Sequence, residues 1–191
     1  DIVTGNSGDD RFIAGEGNDS YDGGSGFDTI DYSGSKGGMS VDLNAHTASG
    51  MGSDSIKGVE GVLGSAYADS ISGDKNANVL VAGAGDDMLR GRGGADIMSG
   101  GAGRDTFTWS KTDVNAVDHI TDFAKGDRLN LHDLIKGQKF SSIADVVKVT
   151  DGAAGSTVSV KYAGAFHDVV TLDGVHNTSA VELLKAGMIL S

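Results

Sequence analysis

Large apolar residues recur at every ninth position through two stretches of the chain, at Phe12, Tyr21 and Ile30 and again at Ile71, Leu80, Leu89, Met98 and Phe107. Two positions before each stands an aspartate, Asp10, Asp19, Asp28, Asp69, Asp87, Asp96 or Asp105, with Asn78 the one exception. Glycine opens every unit at its first or second position. Self-similarity at a fixed period is the signature of a repeat architecture. Each unit reads as a glycine turn, an aspartate, and three extended residues whose central side chain points opposite to its neighbours. Two units then make one coil of a solenoid, with strands stacked in parallel and the apolar residues forming a thin ladder inside. The first run fills residues 5–31 and the second fills 64–108 without a slip, while a stray unit at 49–57 keeps Gly50, Gly52, Asp54 and Ile56.

Between the runs, residues 39–43 alternate as a short strand and residues 58–63 resemble a shortened turn of the same coil. The solenoid is therefore expected to continue through an insertion at 32–63 that lacks regular metal loops. Beyond residue 108 the alternation predicts strands over 146–150, 157–163 and 168–172, separated by glycine turns. Ser179-Ala-Val-Glu182 is a capping-box match that opens a short helix, with Gly187 as its stop. The expected fold is all-β: a right-handed parallel β-roll (β-solenoid) of nine-residue repeats over 1–108, followed over 109–191 by a β-rich C-terminal cap with a short helix.

Composition sharpens this picture. Of 191 residues 31 are glycine, none is proline or cysteine, and 27 acids face 15 bases. Without cysteine there is neither a disulfide framework nor a thiolate metal site, so any staple must use oxygen ligands. The net charge of -12 argues against binding nucleic acid or an anionic membrane, which needs basic surface. Residues 1–108 carry 17 acids against 7 bases, and 109–191 carry 10 against 8, so the charge splits into -10 and -2. No apolar run approaches the roughly 18 residues of a membrane-spanning helix, and residues 1–6 show no N-terminal export signal.

The charge and the repeat phase together point to a cation. Glycines at positions one, two and four of each unit are expected to take positive φ and turn their carbonyls inward. The position-six aspartate adds a carboxylate, giving the all-oxygen shell that calcium prefers. Because two units make a coil, Asp10 should lie over Asp28, and Asp69, Asp87 and Asp105 should form a column with Asn78 and Asp96 on the opposite edge. Without metal such columns place like charges about 5 Å apart. At free calcium tenfold above its dissociation constant each site adds about 1.4 kcal/mol, so five would add roughly 7 kcal/mol. Glycine-rich acidic sequence is otherwise read as disordered linker; the fixed phase of aspartate and apolar residues favours a fold, with disorder expected when calcium is absent.

The tandem Gly-Gly-x-Gly-x-Asp-x-apolar-x unit, complete at residues 23–31 and 100–108, resembles the repeats-in-toxin (RTX) parallel β-roll. Asp118-x-Ile120-x-Asp122-Phe123-x-x-Gly126-Asp127-x-Leu129-x-Leu131 is similar to the segment that follows the repeats in serralysin-type proteases and in type I secretion target domains. The ending, residues 170–175 and then 183–190, resembles the terminus of giant bacterial adhesins exported by type I systems. The resemblance implies several bound calcium ions, with carbonyls from positions two and four joining the aspartates. The carbonyl candidates are Gly8, Gly15, Gly17, Gly24, Gly26, Gly83, Gly85, Gly94, Gly101 and Gly103. Tyr67 and the Asp74, Asn76, Asn78 set depart from the pattern and put calcium near residues 64–81 in doubt. Asp113 and Asp118 would cap the last site as post-repeat acids do, or serve as ordinary surface acids or turn formers.

No catalytic constellation is present. The five histidines never form His-Glu-x-x-His, and no Gly-x-Ser-x-Gly elbow occurs. The implied function is non-enzymatic: a monomeric, calcium-binding module of a larger secreted or cell-surface protein, exported through an ABC transporter and outer-membrane channel, with 109–191 carrying the secretion signal. The alternative is a calcium-dependent polysaccharide-binding or accessory C-terminal module of a secreted protease, lipase or alginate epimerase. The helix near 179–187 could be read by the transporter, or it could cover the open end of the domain.

Overall fold

The structure, a computed structural model, describes residues 1–187 and the backbone of residues 189 and 190. Each glycine turn delivers its chain into a short strand, and strands from alternate units enter opposite sheets. Ser20–Asp22, Ser70–Ser72, Met88–Arg90 and Thr106–Thr108 lie in a sheet of ten strands among the described residues. Arg11–Ile13, Thr29–Asp31, Gly61–Leu63, Val79–Ala84 and Ile97–Ala102 lie in a second sheet of nine. The pairings are parallel and keep the ladder in register. Phe12 pairs with Ile30, Tyr21 with Ile56, Leu80 with Val62 and Met98, and Leu89 with Ile71 and Phe107. Residue identity explains which face each takes: Leu89 is buried between exposed Met88 and half-buried Arg90, as alternation along a strand requires.

The insertion departs from a purely parallel roll. Ser40–Asp42, Thr47–Ser49 and Ser53–Lys57 form an antiparallel meander, whose outer members pair in parallel with Ser70–Ser72 and Ser20–Asp22. Two tight reversals cause this. At the first, the Ala45 N–H donates to Asp42 Oδ1 at 2.9 Å and His46 adopts a left-handed φ of 59°; at the second, Gly50 and Gly52 take positive φ. Val41, Ala48 and Ile56 keep the interior filled. The facing sheet gains no strand here, because Gly61–Leu63 stands directly between Thr29–Asp31 and Val79–Ala84.

Both sheets continue past residue 108. Asp118–Ile120 pairs with Ile97–Ala102, and Arg128–Asn130 pairs with Thr106–Thr108. Val147–Asp151, Gly155–Tyr162 and Ala165–Asp173 then form antiparallel hairpins, the last strand lying parallel to Asp118–Ile120. These strands overlap the expected segments: the first is shifted by one residue, and the second and third begin two and three residues earlier. A four-residue helix at His132–Ile135, which the alternation did not signal, buries Leu134 and Ile135. The C-terminal helix spans Ala180–Lys185; the Glu182 N–H donates to Ser179 Oγ at 3.2 Å, and Gly187 follows at φ 73°. Met188 and Ser191, part of the tail singled out above, lie outside the described residues. The apolar interior is one cluster from Phe12 through Trp109 to Leu183, so the cap closes the ladder rather than forming a separate core.

This arrangement makes the ladder a thin core in which each residue matters. Truncating Leu80, fully buried between Val62 and Met98, to alanine should cost about 2–5 kcal/mol in denaturant unfolding with calcium present. Met88→Ala, at a side chain 57% exposed on the outer face, should stay within about 0.5 kcal/mol.

Candidate metal centres on the edges of the roll

The turns that join the two sheets stack into two columns. On one edge lie Asp10, Asp28, Glu60, Asn78, Asp96 and Asp118; on the other lie Asp19 and Asp54, then Asp69, Asp87, Asp105 and Asp127. A repeated rung ties neighbours together. The backbone N–H of one position-six residue donates to the Oδ1 of its counterpart one coil on: Asp10 to Asp28, Asp69 to Asp87, Asp87 to Asp105, Asn78 to Asp96, Asp96 to Asp118 and Asp105 to Asp127, at 2.7–3.1 Å.

The second oxygen of these aspartates is what needs explaining. Oδ2 of Asp10, Asp28, Asp87, Asp96 and Asp105 is buried and receives no hydrogen bond. A buried anionic oxygen without a donor is among the costliest groups a fold can contain. The basic side chains do not relieve it: Arg11, Arg90, Arg92 and Arg104 pair with Asp31, Asp113, Asp42 and Asp86 instead. The same oxygen explains the glycine at position one. A β-carbon on Gly5, Gly23, Gly91 or Gly100 would collide with Oδ2 of Asp10, Asp28, Asp96 or Asp105 of the same unit. These position-one glycines do not take positive φ, so the expectation for that position is corrected: the neighbouring carboxylate keeps the place small, with alanine at Ala14 and Ala82 in two units, and backbone freedom is not what it needs.

Positions two and four behave as expected in the regular units. Gly8, Gly17, Gly24, Gly26, Gly83, Gly85, Gly94, Gly101 and Gly103 all lie at positive φ, whereas Gly15 does not. A β-carbon on Gly24, Gly26, Gly101 or Gly103 would strike the carbonyl oxygen of Asn6, Gly8, Gly83 or Gly85, the same position one coil back. Those carbonyls thus project along the stack toward the next coil. No group of three or more His, Cys, Asp or Glu side chains converges among the described residues. A cation at these edges must therefore combine single carboxylates with main-chain carbonyls, an all-oxygen donor set suited to a hard ion such as calcium.

The acids after the repeats have different partners. Asp118 accepts the Asp96 N–H on Oδ1 and the Trp109 Nε1–H on Oδ2, the latter at 2.6 Å. Asp113 is held by Arg90 through both oxygens at 2.8 and 3.0 Å. Neither presents an oxygen free of donors. Three edge residues escaped the repeat pattern. Glu60 takes the place of a position-six aspartate and accepts the Asp28 N–H at 3.0 Å; its signal was an acid directly before Gly61-Val62-Leu63, in the phase of every other coil. Asp122 accepts the N–H groups of Gly100 and Gly101, and Asp127 accepts those of Asp105 and Ala124, so both close the last coil.

A family model described as the RTX calcium-binding nonapeptide repeat matches in four copies, over residues 1–30 and 72–107. No curated protein sequence matches the chain. Among solved structures it is similar to the AlgE6R3 subunit of the Azotobacter vinelandii mannuronan C5-epimerase, at 23% identity over 65% of this chain and 78% of that one, with a TM-score of 0.25. It is also similar to the extracellular lipase LipA from Serratia marcescens, at 16% identity over 96% of this chain and 38% of the lipase, with a TM-score of 0.36.

Burial, with Asp105 and Asp69 adding repulsion, pushes the Asp87 carboxyl up to about 6 in the metal-free roll. Asp96, Asp105 and Asp118 are raised as well, again by burial first. A raised folded-state pKa gives stability that is complete below the unfolded value of about 4 and is lost as pH rises through the folded value. The ion-paired Asp31, Asp42 and Asp113, shifted down, act in the opposite sense, but only below about pH 4. In chelator the residual β-structure should therefore be greater near pH 5 than near pH 7.5, read by circular dichroism at about these two values. With calcium the order should reverse, because protons compete for the same oxygens.

Proposed function

The chain carries RTX calcium-binding nonapeptide repeats folded as a β-roll, and on that premise we propose that it folds on extracellular calcium and directs type I secretion of a larger protein, a bacterial surface adhesin. RTX repeats bind several calcium ions and typically occur in secreted proteins. The observation that carries the reading is the set of five buried carboxylate oxygens without donors. A chain that must bury these charges without an ion has a strongly disfavoured folded state; the ion's positive charge turns a stack of repelling anions into a cross-link between coils. Asp10, Asp28, Asp87, Asp96 and Asp105 would supply carboxylates, Glu60 would extend the first column, and the position-two and position-four carbonyls would complete the shell.

Folding linked to calcium suits a passenger of a narrow channel. Cytosolic calcium is too low to fill such sites, so the chain stays extended for the transporter, and folding outside opposes its return. The capped helix at Ala180–Lys185 is the segment we assign as the address. No helix among the described residues is long and apolar enough to cross a membrane, and no catalytic motif was found in the sequence.

Titrating calcium into chelated protein should produce a cooperative gain of β-structure by circular dichroism, and a chain equally folded in chelator would sink the proposal. Co-expressed with a type I transporter and outer-membrane channel, the chain lacking residues 179–191 should remain inside the cell while the intact chain reaches the medium; equal export of both would remove the tail from this role.

A further inference from the structure

The position-six residues are not chemically equivalent. Asp69 lies within the column, but the chain itself supplies its donors. Its Oδ1 accepts the Met39 N–H at 2.6 Å and the Ser65 hydroxyl at 2.8 Å, and its Oδ2 accepts the Ser65 N–H at 2.6 Å. Ser65 and Tyr67, at positions two and four of that unit, stay out of the left-handed region that the glycines occupy in regular units. The turn therefore bends its amides toward the carboxylate where other turns leave an empty oxygen.

Two tyrosines do the same earlier in the stack. The Tyr21 hydroxyl donates to Asp19 Oδ2 at 3.3 Å while accepting the Gly15 N–H, and Gly15 is a position-two glycine outside the left-handed region. One coil on, Asp54 accepts the Asp19 N–H on Oδ1 and the hydroxyl of fully buried Tyr32 on Oδ2 at 3.1 Å. At Asn78 the carboxylate is missing altogether. Its Oδ1 accepts the Asp74 N–H, Asp74 in turn holds Asn76 through two hydrogen bonds, and the buried Nδ2 is a donor, which cannot ligate a cation.

These four positions do not fit the ion that the flanking repeats fit. We propose that Asp19, Asp54, Asp69 and Asn78 hold no calcium, and that tyrosine and serine hydroxyls with turn amides replace the ion there. Residues 19–78 contain this hydrogen-bonded seam of the roll. Two groups of cation-demanding carboxylates lie beside it: Asp10 and Asp28 on the edge opposite Asp19 and Asp54, and Asp87, Asp96 and Asp105 further along the stack beyond Asp69 and Asn78. The inference rests on the reading of the repeats as calcium-binding and adds that binding is divided.

The test counts ions on the full chain. Calcium bound per chain, measured by equilibrium dialysis with elemental analysis, should be unchanged in Asp19→Asn and Asp69→Asn and lower by at least one ion in Asp87→Asn and in Asp105→Asn. Loss of an ion in either of the first two variants overturns the proposal, as does an unchanged count in the last two. Anomalous scattering from crystals of the wild-type protein grown in calcium gives a second reading that does not depend on any variant folding. Peaks are expected within about 2.6 Å of the Asp87, Asp96 and Asp105 carboxylates, and a peak at that distance from Asp19 or Asp69 overturns the division. A wild-type chain that binds no calcium at all would instead defeat the functional reading on which this one stands.

Discussion

Successive regular coils of the roll are tied together by carboxylates that accept a backbone N–H on one oxygen, and at Asp28, Asp87, Asp96 and Asp105 the other oxygen is buried with no donor. Much of the rest follows from that half-satisfied group. The position-one glycine is small because the oxygen fills the place of a side chain. The left-handed glycines at positions two and four turn carbonyls along the stack, where they can share a cation with the carboxylates. The negative charge of residues 1–108 is concentrated for the same reason: each regular turn contributes one anion to a line of anions.

The interior could not sustain this charge unaided. Regular coils contribute one large side chain per strand to the ladder, and the ladder has no second layer on either side. The fold relieves that weakness at three places. In the middle, Tyr21, Tyr32 and Ser65 donate to the carboxylates. At the far end, Asp118, Asp122 and Asp127 accept the amides of the last coils, and Trp109 fills the interior while donating to Asp118. The antiparallel hairpins then continue the sheet of Asp118–Ile120, so the roll ends against a packed cap. The acids of the post-repeat segment are best understood as amide acceptors that close the stack, which is why Asp113 and Asp118 end with Arg90 and Trp109 rather than with an open oxygen.

Most of the repeat geometry was legible in the residues. A nine-residue phase that keeps aspartate two positions before an apolar residue has one economical solution, two strands per coil with the acids on the edges, because strand alternation and coil length leave no other common face. Less of the site was legible. Glu60 sat in the shortened turn at 58–63, not in a full repeat, and its place in the column is fixed by the register that sets Gly61 beside Thr29. Asp19 reads the same as Asp28, and Asp69 departs only through its neighbours such as Tyr67, yet Tyr21, Ser65 and Met39 supply both carboxylates with donors. The insertion was readable as strands but not in direction, since two reversals at His46 and at Gly50 and Gly52 decide it.

By itself the sequence determined the coil, the ladder, the two acidic edges and the choice of an oxygen-loving cation, because all of these depend on periodicity and residue chemistry within a single unit. Only the tertiary structure decided which carboxylates are left without a donor. That depends on what a neighbouring coil places within hydrogen-bond reach, and the contact between Tyr32 and Asp54 or between Met39 and Asp69 spans 22 or 30 residues of chain that no local pattern connects.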